Sequence, residues 1–271
     1  MTHVRRRWAT IASGVLLAIL VCLVVVPLAV VVAGSVFQPR WLGLASESWR
    51  SGSQTRWFSY VLDLYGRQIG HSAWLAGLVV LACLLIGVPA AYGLAKGSGP
   101  TRRLLRSSLD APLAVPGIAV AIALIQTYPA ARTGGWTLAA GHLLYALPFF
   151  VRATGNALAS VSLGELEEAA AATGAGKWET FRRVILPLAR PGLTAGALMA
   201  FTISWGEFNV SFLLATPTTQ TFPSALYLTY TTNSFPVAAA ATAIFLAAAI
   251  PALVLLQGIA KPETAAFGEP A

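Results

Sequence analysis

The chain has 271 residues, 56% of them hydrophobic and only 10% charged, with a mean hydropathy of +0.70. Soluble domains carry roughly 25% charged residues, so this composition excludes an ordinary water-soluble globule and points to the bilayer as solvent. The net charge of +8 does not read as nucleic-acid binding, because the basic residues sit beside apolar runs and form no aromatic-interleaved soluble patch. Cys22 and Cys83, the 2 cysteines, both lie in apolar runs, which rules out a disulfide framework and casts them as small core residues.

A helix needs about 20 apolar residues to cross a hydrocarbon core of roughly 30 Å. Six segments meet that length, at about 11–33, 72–95, 109–127, 136–154, 191–214 and 235–257. Arg5, Arg6 and Arg7 ahead of the first segment also fit a signal sequence, with small residues at 33–35 as a cleavage site. The run is longer than the roughly 7–15 residues of a signal core, and five spans follow it, so an uncleaved helix is expected. Six spans put both termini on one side. With that side cytoplasmic, it holds Arg5, Arg6, Arg7, Lys96, Arg102, Arg103, Arg106, Arg152, Lys177, Arg182, Arg183, Arg190 and Lys261. Only Arg40, Arg50, Arg56, Arg67 and Arg132 fall outside, most of them in one long outer loop, as the positive-inside rule prefers.

After the fourth span comes a cytoplasmic stretch, at about 156–189, that is neither a tight turn nor a plain linker. Ser162 with Glu165 three residues on has the form of a capping box, and Glu165, Glu167 and Glu168 suit the positive end of a helix dipole. Alanines from Ala169 carry the helix to Gly174, which can adopt the left-handed conformation that ends it. A second helical stretch spaces Trp178, Phe181, Val184, Ile185 and Leu188 on roughly one face, and Pro187 and Pro191 punctuate its junction with the fifth span. Two short helices of this kind suit a groove on a partner protein. Spacing alone equally fits an amphipathic loop lying on the membrane.

Glu168-Ala169-Ala170, three residues, Gly174, nine residues, Val184, one residue and Leu186-Pro187 resembles the EAA loop of permease subunits of bacterial ATP-binding-cassette (ABC) importers, with valine where that pattern usually has isoleucine. The resemblance runs from about Ser72 to Gln257. Asp110 to Gly117 resembles the proline-rich start of the family's third span, and Ser204-Trp-Gly-Glu-Phe-Asn209 its fifth-span signature. It implies an all-α, polytopic type I importer permease with about six spans, one transmembrane domain over 1–271 in a bacterial inner membrane. It further implies that Glu165, Glu168, Ala169, Ala170, Gly174, Trp178, Leu186 and Pro187 meet a cytosolic ABC ATPase dimer. A second permease subunit, alike or different, and an extracytoplasmic solute-binding protein complete the implied assembly, with ATP and magnesium held by the ATPase and no cofactor in this chain. No glycine loop for phosphate precedes a suitable lysine, since Lys96-Gly-Ser-Gly-Pro has the wrong order.

Glu207 is the acid set well inside a predicted span, about 24 Å along the helix from Pro191, and lipid exposure would cost it several kcal/mol. It is a candidate for the translocation pathway or gate, and equally for a bond to Ser204, Ser211 or a neighbouring helix; Asn209 shares both readings. The outer segment 216–234 is rich in threonine and carries no charge, and reads as a surface helix or a connector. His71 and His142 lack companion ligands at metal spacing and read as interfacial polar residues. A self-sufficient secondary transporter would need several ionisable residues in its spans and an inverted repeat. A membrane-embedded enzyme would need converging nucleophiles, acids or ligands. The sequence offers neither.

Overall fold

The computed structural model describes residues 2–36, 55–97 and 99–260, and these hold helices and turns with no strand. The α-helices are α1 (Thr2–Val36), α2 (Arg56–Ala82), α3 (Val88–Ala95), α4 (Pro100–Asp110), α5 (Gly117–Thr127) and α6 (Trp136–Ala159), then α7 (Leu163–Ala172), α8 (Lys177–Thr180), α9 (Leu186–Leu188), α10 (Arg190–Gly206), α11 (Asn209–Leu214), α12 (Phe222–Thr232) and α13 (Phe235–Ala260). A π turn over Cys83–Gly87 joins α2 to α3, giving one 40-residue apolar helix over Arg56–Ala95. Arg56 and Arg67 therefore lie on a helix and not in a long outer loop, while Arg40, Arg50 and Lys261 of the charge argument lie outside the described residues.

Two compact units divide the chain, one drawn from 1–66 and 226–247 and the other from 67–225 and 248–271. In the first, the Ser13–Val36 part of α1 is apolar all round and exposed over 13–29, with Leu23 at 69%, as befits a helix facing hydrocarbon. Its end is fastened where a Cβ on Gly34 would meet the Phe235 ring at 2.6 Å, beside buried Ser35, Val237 and Ala239.

The second unit is organised around α6 and α10, whose backbones meet. A Cβ on Gly192 would lie 2.9 Å from the Ala153 carbonyl oxygen, and one on Gly196 would lie 3.1 Å from that of Phe150. Small residues four apart permit such an approach, and dispersion between the two surfaces then does the work that water exclusion does in soluble proteins. The fully buried Phe150 ring fills notches left by Gly87 in the π turn and by Gly196. Around it pack Leu75, Val79, Cys83, Ala121, Leu138, Ala146, Ala200, Val210 and Leu214. A second cluster of Ala91, Leu94, Val151, Leu158, Leu163, Ile185 and Ala189 fastens the 163–189 stretch to α3 and α6.

Two expected spans are bent. The apolar helix of the third is only α5; residues 109–110 end α4, a 3₁₀ turn covers Ala111–Ala114, and Pro116 caps an axis change of 102°. The fifth is entered through a 70° bend between Lys177–Leu188 and Arg190–Gly206, and it is broken again beyond Gly206. Among the described residues Ser13–Val36 and Arg56–Ala95 are long and apolar enough to cross a membrane, and each bent pair would add one span if its arms are taken together.

Candidate functional site

The 163–189 stretch is two helical arms around a left-handed glycine. Ser162 occupies the N-cap of α7, yet its side chain makes no capping bond, so the capping box expected with Glu165 does not form. The C-terminus follows expectation. Gly174 has φ +82°, its N–H donates to the Ala171 carbonyl at 2.9 Å, and the Ala175 N–H donates to that of Ala170 at 3.1 Å. Those paired bonds form a Schellman cap, which satisfies carbonyls that otherwise lack partners and requires a positive φ that a Cβ disfavours. The second arm is α8, a π turn over Phe181–Ile185 and α9. That turn rotates the expected apolar face apart: Ile185 is buried, whereas Trp178 and Leu188 are 71% and 44% exposed. Glu165, Glu168, Ala169 and Gly174 are also exposed, and Ala170, Leu186 and Pro187 are half-buried.

Glu167, on the other side of α7, is an anchor. Its Oε1 lies 2.8 Å from Lys96 Nζ and accepts a hydrogen bond from the Tyr92 hydroxyl. The ammonium also lies 4.3 Å from the Tyr92 ring centroid, and that ring packs on Phe181 at 5.1 Å. Burial alone would raise the Glu167 carboxyl, but the bonds from Lys96 and Tyr92 prevail and hold it below the ordinary carboxylate range. Burial would likewise lower Lys96, and the bond to Glu167 outweighs it, so the ammonium is held above its usual value. One ion pair and an aromatic contact thus tie both arms of the loop to the end of α3.

The second candidate is the break in the fifth span. Helix α10 stops at Gly206, Glu207 is extended at φ −72° and ψ 110°, and α11 restarts at Asn209. Glu207 Oε1 accepts the backbone N–H of Val210 at 2.8 Å. The carboxylate therefore satisfies a donor that the restarted helix leaves free, in the manner of a cap. Ser204 and Ser211, expected as partners of Glu207, bond elsewhere. His142 on α6 holds them both, Nδ1 with Ser204 Oγ at 2.9 Å and Nε2 with Ser211 Oγ at 2.8 Å. At 1% exposure His142 is buried and not interfacial. A neutral imidazole has one donor and one acceptor, and a hydroxyl can serve either, so both ring nitrogens are satisfied without a charge. His142 clasps the helix on the two sides of its break.

Around the clasp, Val210 fits the notch left by Gly141, and Asn209, exposed, packs where Gly117 has no side chain. Arg132 Nη2 donates to the Leu213 carbonyl at 3.0 Å near the end of α11, where a cation suits the helix dipole. The sequence signals for these residues are slight. Glu167 and Lys96 are 71 positions apart, and His142 and Ser211 are 69 apart. Gly192 and Gly196 do carry a readable pattern, a small residue repeated four positions on. Among the described residues no three His, Cys, Asp or Glu side chains gather as a metal site.

A family model described as a binding-protein-dependent transport system inner membrane component matches residues 83–263. The chain is 32% identical over 208 residues to the molybdenum transport system permease protein ModB of Escherichia coli K12, covering 69% of this chain and 90% of that protein. Similarity extends to the spermidine/putrescine transport system permease protein PotC of Shigella flexneri, at 27% identity over 80% of this chain and 83% of that one. Among solved structures, a bacterial ABC transporter that imports the acidic polysaccharide alginate superposes with a TM-score of 0.67 at 16% identity, over 96% of this chain and 99% of that one. The MetNI methionine ABC transporter gives 0.60 at 17% identity, over 74% and 98%.

Proposed function

The chain belongs to the family of binding-protein-dependent inner-membrane permease components, which are non-catalytic subunits of ABC importers, and from that premise we propose that its 163–189 loop is the surface that couples it to a separate ATPase. The observation that carries this reading is the two-sidedness of α7. Glu167 and Leu163 hold one side to the body of the subunit, while Glu165, Glu168 and Ala169 on the other face solvent and Gly174 ends the helix in a fixed turn. A helix so held can transmit a push from a groove that grips its open side. ATP and magnesium belong to a cytosolic ATPase dimer, a second permease subunit completes the pathway, and a binding protein delivers solute from outside. Both termini, α4 and the 163–189 loop lie on the cytoplasmic side, as the basic residues favour.

The broken fifth span is the pathway element. Irregular backbone at membrane depth is tolerated where it is buried in protein or lines a cavity. Glu207 acts there as a backbone cap more than as a selector of solute charge, and Asn209 remains the side chain open to the pathway. Copurification tests the coupling surface. Gly174→Val and Glu168→Lys are expected to lower the ATPase retained by the permease or to uncouple hydrolysis from uptake, since a β-branched residue at positive φ costs about 1–3 kcal/mol. Wild-type retention and uptake in both variants would remove the loop from this role.

A further inference from the structure

The helix α4 has no part in the sites above, and its surface is unusual. None of its residues is buried, and Leu104 and Leu105 are 67% and 53% exposed. Arg102, Arg103 and Arg106 share one arc of about 100° on a helical projection, and both leucines lie outside it. Arg106 is fixed, its Nη2 donating to the Leu94 carbonyl at 2.8 Å. Asp110, at the end of α4, is occupied by Arg152 at 2.7 Å. Arg102 and Arg103 enter none of the ion pairs among the described residues. Arg102 packs where Gly97 lacks a side chain, and the three arginines with Gly97, Gly99 and Pro100 line an open cavity of about 380 Å³ with no acidic residue among the described lining residues.

We propose that α4 lies in the cytoplasmic face of the bilayer and that this arginine cleft binds the headgroup phosphate of an anionic phospholipid. The axis of the α4 arm turns by 102° from that of apolar α5, so if α5 runs across the bilayer α4 runs along its surface. That orientation puts the leucine side toward acyl chains and the arginine side among headgroups, the arrangement of an interfacial amphipathic helix. The charge matches the anionic lipids of a cytoplasmic leaflet, and guanidinium pairs readily with phosphate oxygens. The inference rests on the cytoplasmic placement of α4 in the reading above.

The test uses the intact purified importer in neutral detergent, titrated with fluorescent short-chain phosphatidylglycerol, with phosphatidylcholine and inorganic phosphate as controls. Phosphatidylglycerol should bind more tightly than phosphatidylcholine. Arg102→Gln with Arg103→Gln should weaken it about 25-fold, at about fivefold per basic residue near a lipid surface, while the paired lysine substitutions keep most of the affinity. Unchanged affinity in the glutamine variant, or equal binding of both lipids, would overturn the proposal. So would displacement by inorganic phosphate at lipid concentrations, which makes the cleft a soluble-anion site. Loss of a protein subunit with lipid binding intact would make it a protein interface and also overturn it. Ser107→Cys, labelled from one side at a time in sealed vesicles, checks the placement separately: labelling from outside only would overturn the topology and this proposal together, whereas labelling from inside with no lipid preference would overturn the proposal alone.

Discussion

His142→Phe keeps a ring in the buried pocket on α6 and deletes both bonds of the clasp, so the consequence can be sized. Ser204 at 3% exposure and Ser211 at 0% would each keep a hydroxyl with its partner gone. A buried polar group stripped of its partner costs about 1–3 kcal/mol. Two things reduce that here. Serine in a helix can turn to its own backbone carbonyl four residues back, and interhelical polar bonds in membranes average about 0.6 kcal/mol. The pair is therefore expected to cost about 2 kcal/mol, roughly thirtyfold in the folding equilibrium. The assay is the unfolding midpoint of the purified importer, read alongside ATP-driven uptake. Ser204→Ala and Ser211→Ala placed on His142→Phe should restore most of the loss, because removing all partners together leaves nothing unsatisfied. Wild-type unfolding and transport in His142→Phe, or a triple variant no more stable than the single one, would show that the clasp carries no such energy.

Glu207→Gln should be tolerated, since an amide oxygen can accept the Val210 N–H, whereas Glu207→Ala should lose about 0.5–2 kcal/mol, the usual worth of a helix cap; equal damage in both would instead assign the charge to transport. Gly192→Leu should destabilise by at least the 1–3 kcal/mol typical of overpacking, because its Cβ would press on the Ala153 carbonyl at 2.9 Å, and a normal melting midpoint would contradict the helix contact. Lys96→Met with Glu167→Gln in a double-mutant cycle should give a coupling of about 0.2–1 kcal/mol, the screened value for side chains that are a third exposed. Since the Glu167 carboxyl is held below its free value of 4.5 and the Lys96 ammonium above 10.5, the anchor is complete between those values. It is lost as pH falls below 4.5 through the folded carboxyl or rises above 10.5 through the folded ammonium. A stability difference between wild type and Glu167→Gln that varies between pH 6 and 8 would refute this.

What the sequence discloses depends on how local the cause is. Gly174 is legible because a short Ala-rich helix and the glycine that ends it are neighbours in the chain, and the left-handed turn appears where expected. Apolar runs disclose α1 and the 72–95 part of the Arg56–Ala95 helix for the same reason, but not its 56–71 part, where Arg56, Asp63 and Arg67 break the apolar run. The fifth span conceals its break because no proline marks it. Gly206 is followed by Glu207, whose carboxylate replaces the backbone partner that a continuous helix would supply, so hydropathy averages across the gap. The third span is begun too early for the opposite reason: Leu109 adjoins the apolar Ala111–Ala114 turn, so the run reads on from α5 into the end of a helix that points elsewhere. His142 is misread since a lone histidine carries no local sign of burial, and its partners lie 62 and 69 residues away.

The two candidate sites share one structural member, and its rigidity determines where movement has to occur. Helix α6 carries His142 at the clasp and Leu158 in the cluster that fastens the 163–189 loop, about 24 Å apart at 1.5 Å per residue. Between them Phe150 is wedged in two glycine notches and Ala153 meets Gly192 backbone to backbone, so α6 and α10 cannot slide without a clash. A packed pair of that kind passes a displacement along but offers no second arrangement of its own. The elements held by exchangeable polar bonds are the α10–α11 break, with two serine bonds, one carboxylate cap and the Arg132 bond to the Leu213 carbonyl, and the α7 anchor, with one ion pair and one hydroxyl. On the proposed coupling, switching is expected at the ends of the α6–α10 strut. A ligand-driven change of a few kcal/mol suffices to exchange such bonds, and an ATPase gripping α7 would work on the break through a body that does not itself deform.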